Sequence, residues 1–376
     1  MTITPINPGH FPWYDHKRYS FSLGLKTSAG TYLSGHTASE YEAATMRMVV
    51  RGGMTEQART VYAKVAAILE GGGLGYGDVS RIVEYVRPEG IERYAEAAAV
   101  RAELFGGYQP VVNTVPVKSL LRSDAFIEIE VSAAAAPGVG PSSVFLPSVQ
   151  PVDDQGNILG AGDLVVQTKV VYDRAARMLS ALGIGLDRVV KTATYITPRA
   201  LPDYENALRV RHERLGPVFP AAVDIVMPRL LHPQAVVQCD FIATHETPVA
   251  VNPGWKRYDG LACSPAVRAG KLLYMSGQGA LDPTTGRVLH KGDVVAQAEY
   301  VYNNVLQLVR LAGGEPRHLV KTIEYVTPAS LEHYREVSGL RSKMLQEPRP
   351  ASTGLISEAL LQPGMRIDVD ALAVLD

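Results

Sequence analysis

Apolar positions along the chain switch between two periods, and the switches come in the same order three times. Over residues 56–70, Ala58, Val61, Tyr62, Val65, Ile68 and Leu69 share one stripe at helical spacing. The glycine-rich stretch 71–77 ends that helix. It lacks the Lys-Ser/Thr pair of a phosphate loop and reads as a cap. Residues 79–86 read as a strand, 89–105 as a second amphipathic helix, and 111–117 and 126–131 as closing strands. Upstream, 19–25 alternates and 31–36 reads as a strand running into a loop. The succession returns at 144–148, 163–182, 188–196, 201–215, 223–228 and 235–243. It returns again at 271–278, 293–312, 318–326, 331–345, 353–356 and 365–372. Each pass reads strand, strand, helix, strand, helix, strand, strand, which is an α+β layer with two helices on one face of a mixed sheet.

The three passes keep a common register. Tyr85, Tyr195 and Tyr325 each stand near the end of a strand, separated by steps of 110 and 130 residues. The same steps relate Gln57, Gln167 and Gln297, then Tyr62, Tyr172 and Tyr302, then Tyr94, Tyr204 and Tyr334. They also relate Arg101, Arg211 and Arg341, and Pro110, Pro220 and Pro350. One unit has therefore been copied twice, and each copy is long enough to be a whole domain rather than a solenoid repeat. The expected domains are 1–135, 136–247 and 248–376, the first boundary falling in the Ala/Pro/Gly/Ser stretch 133–143. Helices cover one face of each sheet. Three sheets turned inward about a shared axis would cover the other faces.

Composition narrows the function classes. Hydrophobic residues make up 46% and charged residues 20% of the chain, the ordinary globular range. A net charge of −1 offers no basic face, so nucleic acid is not an expected partner. Two cysteines, Cys239 and Cys263, give no disulfide framework and suit a reducing cytoplasm. No apolar run reaches membrane-spanning length, and the first residues show no secretory signal, so no membrane association is expected. The nine histidines show no ligand spacing and there are no cysteine pairs, so neither metal nor cofactor is expected. No Gly-x-Ser-x-Gly elbow is present.

The third copy carries Ser276-Gly277-Gln278, Gly286, Gln297, Val320-Lys321-Thr322, Pro350-Ala351 and Arg366-Ile367-Asp368-Val369-Asp370. The second carries Gly156, Gln167, Val190-Lys191-Thr192 and Pro220-Ala221, and the first Phe126-Ile127-Glu128-Ile129-Glu130. In order and spacing these resemble the RidA (YjgF) family. The resemblance implies a chorismate-mutase-like fold and homotrimers whose sheets pack into a central barrel, with a small-molecule cleft at each subunit boundary. A chain with three fused copies would then resemble a trimer made from one polypeptide, a pseudo-trimer with a central β-barrel and three unequal clefts. Further self-association is left open.

The familiar member of that family hydrolyses imines and enamines. It holds the substrate carboxylate with an arginine two residues after the proline that starts the fifth strand. Those positions here are Val112, Ala222 and Ser352, none of which can supply an arginine's paired hydrogen bonds. The chain therefore resembles the subgroups that lack this arginine. A family glutamate that places water corresponds to Glu128, Gln238 and Asp368. Glu128 and Asp368 keep the capacity to act as a base if burial raises their pKa, against a plain reading as salt-bridged strand carboxylates.

The pocket loop of the family corresponds to Ser34-Gly35-His36, Pro147-Ser148-Val149 and Ser276-Gly277-Gln278. Ser34, Gly35, Ser148, Ser276, Gly277 and Gln278 are the substrate-binding candidates it supplies, with Ser352 on the fifth strand. His36 adds a group able to titrate near neutrality, against a structural role. Tyr85, Tyr195 and Tyr325 could face a planar ligand or simply pack in the core. Asp224 is a charge in an apolar strand, near Arg229 and His232, and needs a partner. Cys239 reads as buried and inert. Arg101, Arg211 and Arg341 read as a repeated ion pair at the contacts between domains.

Three functions compete. The first is a Rid-type enzyme transforming a small imine- or enamine-like compound in an inter-domain cleft. It would use carboxylate-activated water and backbone N–H groups for the developing anion. The second is a small-molecule-binding or chaperone-like protein without turnover, supported by the loss of all three arginines. The third is a chorismatase-like hydrolase. An RNA-directed nuclease is weakest, since no basic stretch supports it.

Overall fold

The computed structural model describes residues 3–376. The fold is α+β, with three main sheets and a separate hairpin, Glu40–Glu42 with Arg47–Val49. The first sheet runs Thr4–Pro5, Gly24–Lys26, Thr31–Leu33, Ile127–Ala133, Val79–Val86, Val111–Pro116. The second has four strands, Val144–Phe145, Val237–Ala243, Val189–Ile196 and Ala221–Val226. The third runs Val249–Val251, Ala266–Ala269, Leu272–Met275, Ile367–Val374, Leu319–Val326, Ala351–Ile356. It ends on Ser119–Leu120, borrowed from the first copy. In all three, the strand carrying the repeated tyrosine pairs parallel with the next strand and antiparallel with the last. Tyr85 faces Val115 and Glu128, Tyr195 faces Ile225 and Gln238, and Tyr325 faces Leu355 and Asp368.

Each copy packs two helices on its sheet: Met54–Gly71 with Tyr94–Phe105, Leu164–Ser180 with Tyr204–Arg214, and Val294–Leu311 with Tyr334–Met344. Asp163 and Asp293 cap the first helices of the second and third copies. In the first copy Glu56 reaches back to the Gly53 N–H instead. The repeated glutamine clamps the turn before the last strand. Its amide oxygen accepts from Phe126 N, Val236 N and Arg366 N at 2.7, 2.7 and 2.6 Å. Its amide nitrogen donates to the carbonyls of Asp124, Gln234 and Gly364.

Some expected elements differ. The 89–105 helix is two, Pro88–Ile91 and Tyr94–Phe105, because the chain leaves helical geometry at Arg93. Pro198 and Pro328 open 3-10 turns in the same place in the other copies, since proline suits a helix start but cannot continue one backwards. Residues 19–23 are not a strand; pairing begins at Gly24. The second copy has one strand before its first helix, not two. Among the described residues, no helix is long and apolar enough to cross a membrane.

The central strands alternate with period two, and both of their faces are buried. Ile82 and Val86 face the helices, whereas Val83 and Tyr85 face a cluster shared by all three copies. That shared cluster also holds Tyr195, Ile225, Tyr325 and Leu355. Three further clusters lie between helices and sheet, one per copy. The ladder crosses between sheets at Leu355↔Leu120 and Ile356↔Ser119, with an isolated bridge at Val226↔Ala359. No continuously hydrogen-bonded barrel forms among the described residues.

Candidate active site

On the inward face of each central strand, two residues before the apolar position, stands a cation. Arg81 pairs with Asp240 at 3.4 Å, Lys191 with Asp370 at 2.7 Å, and Lys321 with Glu130 at 3.0 Å. The pairs run from the first copy to the second, the second to the third, and the third to the first. The cations and the acids each follow the 110 and 130 steps. They were legible as repeats but not as partners. Tyr85, Tyr195 and Tyr325 lie beside this ring, around a cavity of about 80 Å³ lined by residues of all three copies, and are essentially fully buried. The tyrosines are core residues of the cluster shared by the three copies.

Each seam between copies joins a fifth strand to the early loop of the next copy. Between the first and second copies it is closed. Asn113 Nδ2 donates to Leu146 O, Ser148 Oγ donates to Asp240 Oδ1 at 2.7 Å, and Gln238 Nε2 donates to Thr114 O. Ser148 thus serves the ion-pair ring rather than a ligand.

The seam between the third and first copies holds Glu128, His36, Ser34, Gly35 and Ser352. Gly35 N donates to Ser352 O and Ser352 N to Ser34 Oγ. Ser352 Oγ is occupied by Arg341 Nη1 at 2.9 Å. His36 is 2% exposed, and Tyr14 OH lies 3.1 Å from its Nδ1. Phe11 packs edge-on against Trp13 and Tyr14 and lies over His36. Burial, with Lys64 and Lys321 nearby, pushes the His36 pKa well below the ordinary range, so the ring is neutral and does not titrate near pH 7. Burial, reinforced by Glu130, pushes the Glu128 carboxyl up to about 8.

The seam between the second and third copies is open. A cavity of about 330 Å³ is lined by Asp368, Asp224, Ser276, Gly277, Arg211 and Arg257, with Tyr204, Tyr258 and several leucines completing the wall. Four predicted residues (Asp368, Asp224, Ser276 and Gly277) therefore meet here. Gln278 stands behind them, fully buried, with its oxygen on Arg257. Gly277 N donates to Ala222 O at 2.9 Å, and Ser276 Oγ accepts from Ala222 N. The Gly277 N–H is thus already engaged and does not serve a developing anion. Gly277 is needed because any Cβ there would lie 2.4 Å from Asp368 Oδ1. That oxygen is buried and has no hydrogen-bond partner among the described residues. Burial, with Asp370 close by, raises the Asp368 carboxyl to about 7 against the pull of Lys191 and Arg257.

Asp224 has a different character. Burial would raise its pKa, but Arg211 at 2.9 Å and Tyr204 at 2.6 Å hold it below the usual range, so it is a paired anion and not a base. In the other copies the matching arginine binds a carboxylate on the central strand, Glu84 for Arg101 and Glu324 for Arg341. These ion pairs lie within one copy, not at the contacts between copies. The second copy has Thr194 at that position. The acid has moved to the neighbouring strand, where Thr194 pairs with Asp224 in register. Cys239 is buried, its thiol raised in pKa by burial. Arg257 and Tyr258 escaped the sequence reading. The available signal was the triplet Lys256-Arg257-Tyr258, which echoes Lys17-Arg18-Tyr19.

A sequence profile described as endoribonuclease L-PSP matches residues 16–135 and 261–375, the first and third copies. The 2-iminobutanoate/2-iminopropanoate deaminase of Mus musculus is 29% identical over 133 residues, 35% of this chain and 89% of that protein. Protein DfrA of Myxococcus xanthus is 32% identical over 108 residues, 29% of this chain and 79% of that protein. A solved chorismatase structure superposes on 79% of this chain and 93% of its own, with a TM-score of 0.53 and 16% identity, which shows a shared fold. The profile spans more than half of the residues, and the chain belongs to the RidA/YjgF (endoribonuclease L-PSP) family.

Proposed function

We propose that this chain is a Rid-type hydrolase acting on a small imine- or enamine-type compound in the cleft between its second and third copies. We read residues 1–135, 136–247 and 248–376 as three domains closed into a single-chain pseudo-trimer. The cyclic ion pairs Arg81–Asp240, Lys191–Asp370 and Lys321–Glu130 support that reading. The observation that carries the function is Asp368, a carboxyl raised to about 7 in the wall of the open seam. A group poised there can both take and return a proton near neutral pH. Asp368 accepts a proton from water as the water oxygen attacks the C=N carbon. The protonated carboxyl delivers it to nitrogen, giving the carbinolamine; Asp368 then takes the proton of the new hydroxyl and passes it to nitrogen as the C–N bond breaks, so ammonia leaves and a carbonyl product remains. The deaminase name carried by the mouse relative supports this chemistry. The chorismatase-like reading rests on fold likeness alone.

The test is ammonia release from 2-imino acids generated in situ by an amino-acid oxidase. Asp368→Asn should lower turnover by roughly 10²–10⁴-fold, while Glu128→Gln in the closed seam should leave it unchanged. Full activity in Asp368→Asn would remove Asp368 from the reaction, and no ammonia release by the wild-type chain would favour binding without turnover.

A further inference from the structure

Arg257 lines the open cleft and forms no ion pair among the described residues. Arg211, across the cavity, is neutralised by Asp224. Arg257 sits on the one-turn helix Lys256–Tyr258, its guanidinium 5.3 Å from the Trp255 ring centre and 4.8 Å from that of Tyr258. Its Nη2 donates to Gln278 Oε1 at 2.9 Å, and its Nε is buried without a partner. Gln278 is itself fixed, its amide nitrogen donating to Ser276 O and to Tyr258 OH. The guanidinium is thus held in place by neutral groups, with donors left over, beside a cavity. A half-buried guanidinium in that state, with donors facing a cavity, is a site for an anion. In the first copy the corresponding Arg18 is exposed and pairs with Asp15, so the arrangement is not a general feature of the repeat.

We propose that Arg257 anchors the carboxylate of the substrate, in place of the arginine absent at Ala222, and that the substrate's apolar body lies against Leu208, Leu281, Leu361 and Met365. The substrate class is then a 2-imino or enamine acid with a branched or aromatic side chain. About 330 Å³ of cavity suits a body well beyond a two-carbon tail. Gln278 acts through Arg257 as a positioning residue. The proposal rests on the hydrolase reading for the reacting group, but its anion-binding part stands separately.

Calorimetric titration of the full chain uses 4-methyl-2-oxopentanoate and phenylpyruvate, stable carbonyl counterparts of the imino acids, with their methyl esters and pyruvate as controls. Both acids should bind. The esters should bind roughly 30-fold more weakly or worse, as should both acids to Arg257→Gln, the loss expected for a charge-assisted contact. Pyruvate should bind more weakly than either acid, and Asp368→Asn should bind the acids while losing turnover. The proposal is overturned if neither acid binds, if esters bind as well as acids, if pyruvate matches the larger acids, or if Arg257→Gln binds like wild type. The ester arm needs no variant and so does not depend on how a variant folds. Acids that bind through Arg257 in a protein without imine turnover would end the hydrolase reading and leave the anion anchor standing.

Discussion

Two seams carry the same device, a loop glycine pressed against a carboxylate, and one of them opens on a cavity of about 330 Å³. In the third-to-first seam a Cβ on Gly35 would lie 2.4 Å from Glu128 Oε1 and 2.8 Å from Thr353 Cγ2. In the second-to-third seam a Cβ on Gly277 would lie 2.4 Å from Asp368 Oδ1 and 2.8 Å from Val223 Cγ2. The two closest distances are the same in both seams. The outer layer decides the difference. Phe11 and Tyr14 lie against His36 and Glu128 is buried, whereas Arg257 and Tyr258 of the Trp255–Tyr258 turn line the cavity. Fusion of three copies lets one cleft become a packed wall while its counterpart stays open, which a trimer of identical chains cannot do.

The largest effect should come from filling the glycine positions. Gly277→Ala forces either Asp368 or Val223 to move, and a displaced catalytic group costs on the order of 10²-fold in turnover. Gly35→Ala meets equally tight neighbours. In a closed seam the cost appears as overpacking, about 1–3 kcal/mol of stability, with activity per folded molecule unchanged. Turnover measured beside urea melts separates the two. Equal turnover losses in both variants would mean that the seams are not functionally distinct.

The pH response should differ next. Glu128 has its folded pKa raised from 4.5 to about 8, so the native state holds a proton that the unfolded chain releases. That stability is full below about 4.5 and is lost as pH rises through about 8, a change on the order of a few kcal/mol. Glu128→Gln should flatten this fall. Neutral His36 adds an opposite slope below its ordinary 6.5, and comparison of variant with wild type at each pH removes it. Asp368 adds to the same fall in wild type and in Glu128→Gln alike, and shows itself in activity as well, kcat/KM rising through about pH 7 as the carboxyl ionises to accept a proton. A wild-type stability curve parallel to that of Glu128→Gln from pH 5 to 9 would refute the raised carboxyl.

Much of the fold was open to reading from sequence because it rests on local periods and on one register repeated. Val79–Val86 was bounded correctly because both of its ends are marked, by a glycine loop and by Pro88. The site was half legible. Asp368, Ser276 and Gly277 belong to a strand and loop with fixed spacing, so they could be placed. Arg257 could not, because its function depends on a turn that folds beside a loop from farther along the chain. The tyrosines stayed undecided between cleft and core for a related reason. Period two tells which residues share a face but not what that face meets. Asp224 was noticed as a charge out of place, and only the pairing of Thr194 with Asp224 explains it.

The displaced acid of the second copy makes the smallest and sharpest prediction. In the first copy Tyr62 OH donates to Glu84 Oε1 at 2.8 Å, and in the third Tyr302 OH donates to Glu324. Moving the acid to Asp224 keeps Arg211 and Tyr204 paired but leaves the buried Tyr172 OH beside Arg211 and without a carboxylate to donate to. Tyr62→Phe should therefore cost about 1.5–3 kcal/mol, the range for a bond to a charged acceptor. Tyr172→Phe should fall within about 0.5 kcal/mol of wild type, since no bond to a carboxylate is lost and a buried hydroxyl is removed. Denaturant midpoints of the two variants decide it. A Tyr172→Phe loss as large as that of Tyr62→Phe would mean the second copy had kept the original network, and the strand-to-strand exchange of its carboxylate would have to be given up.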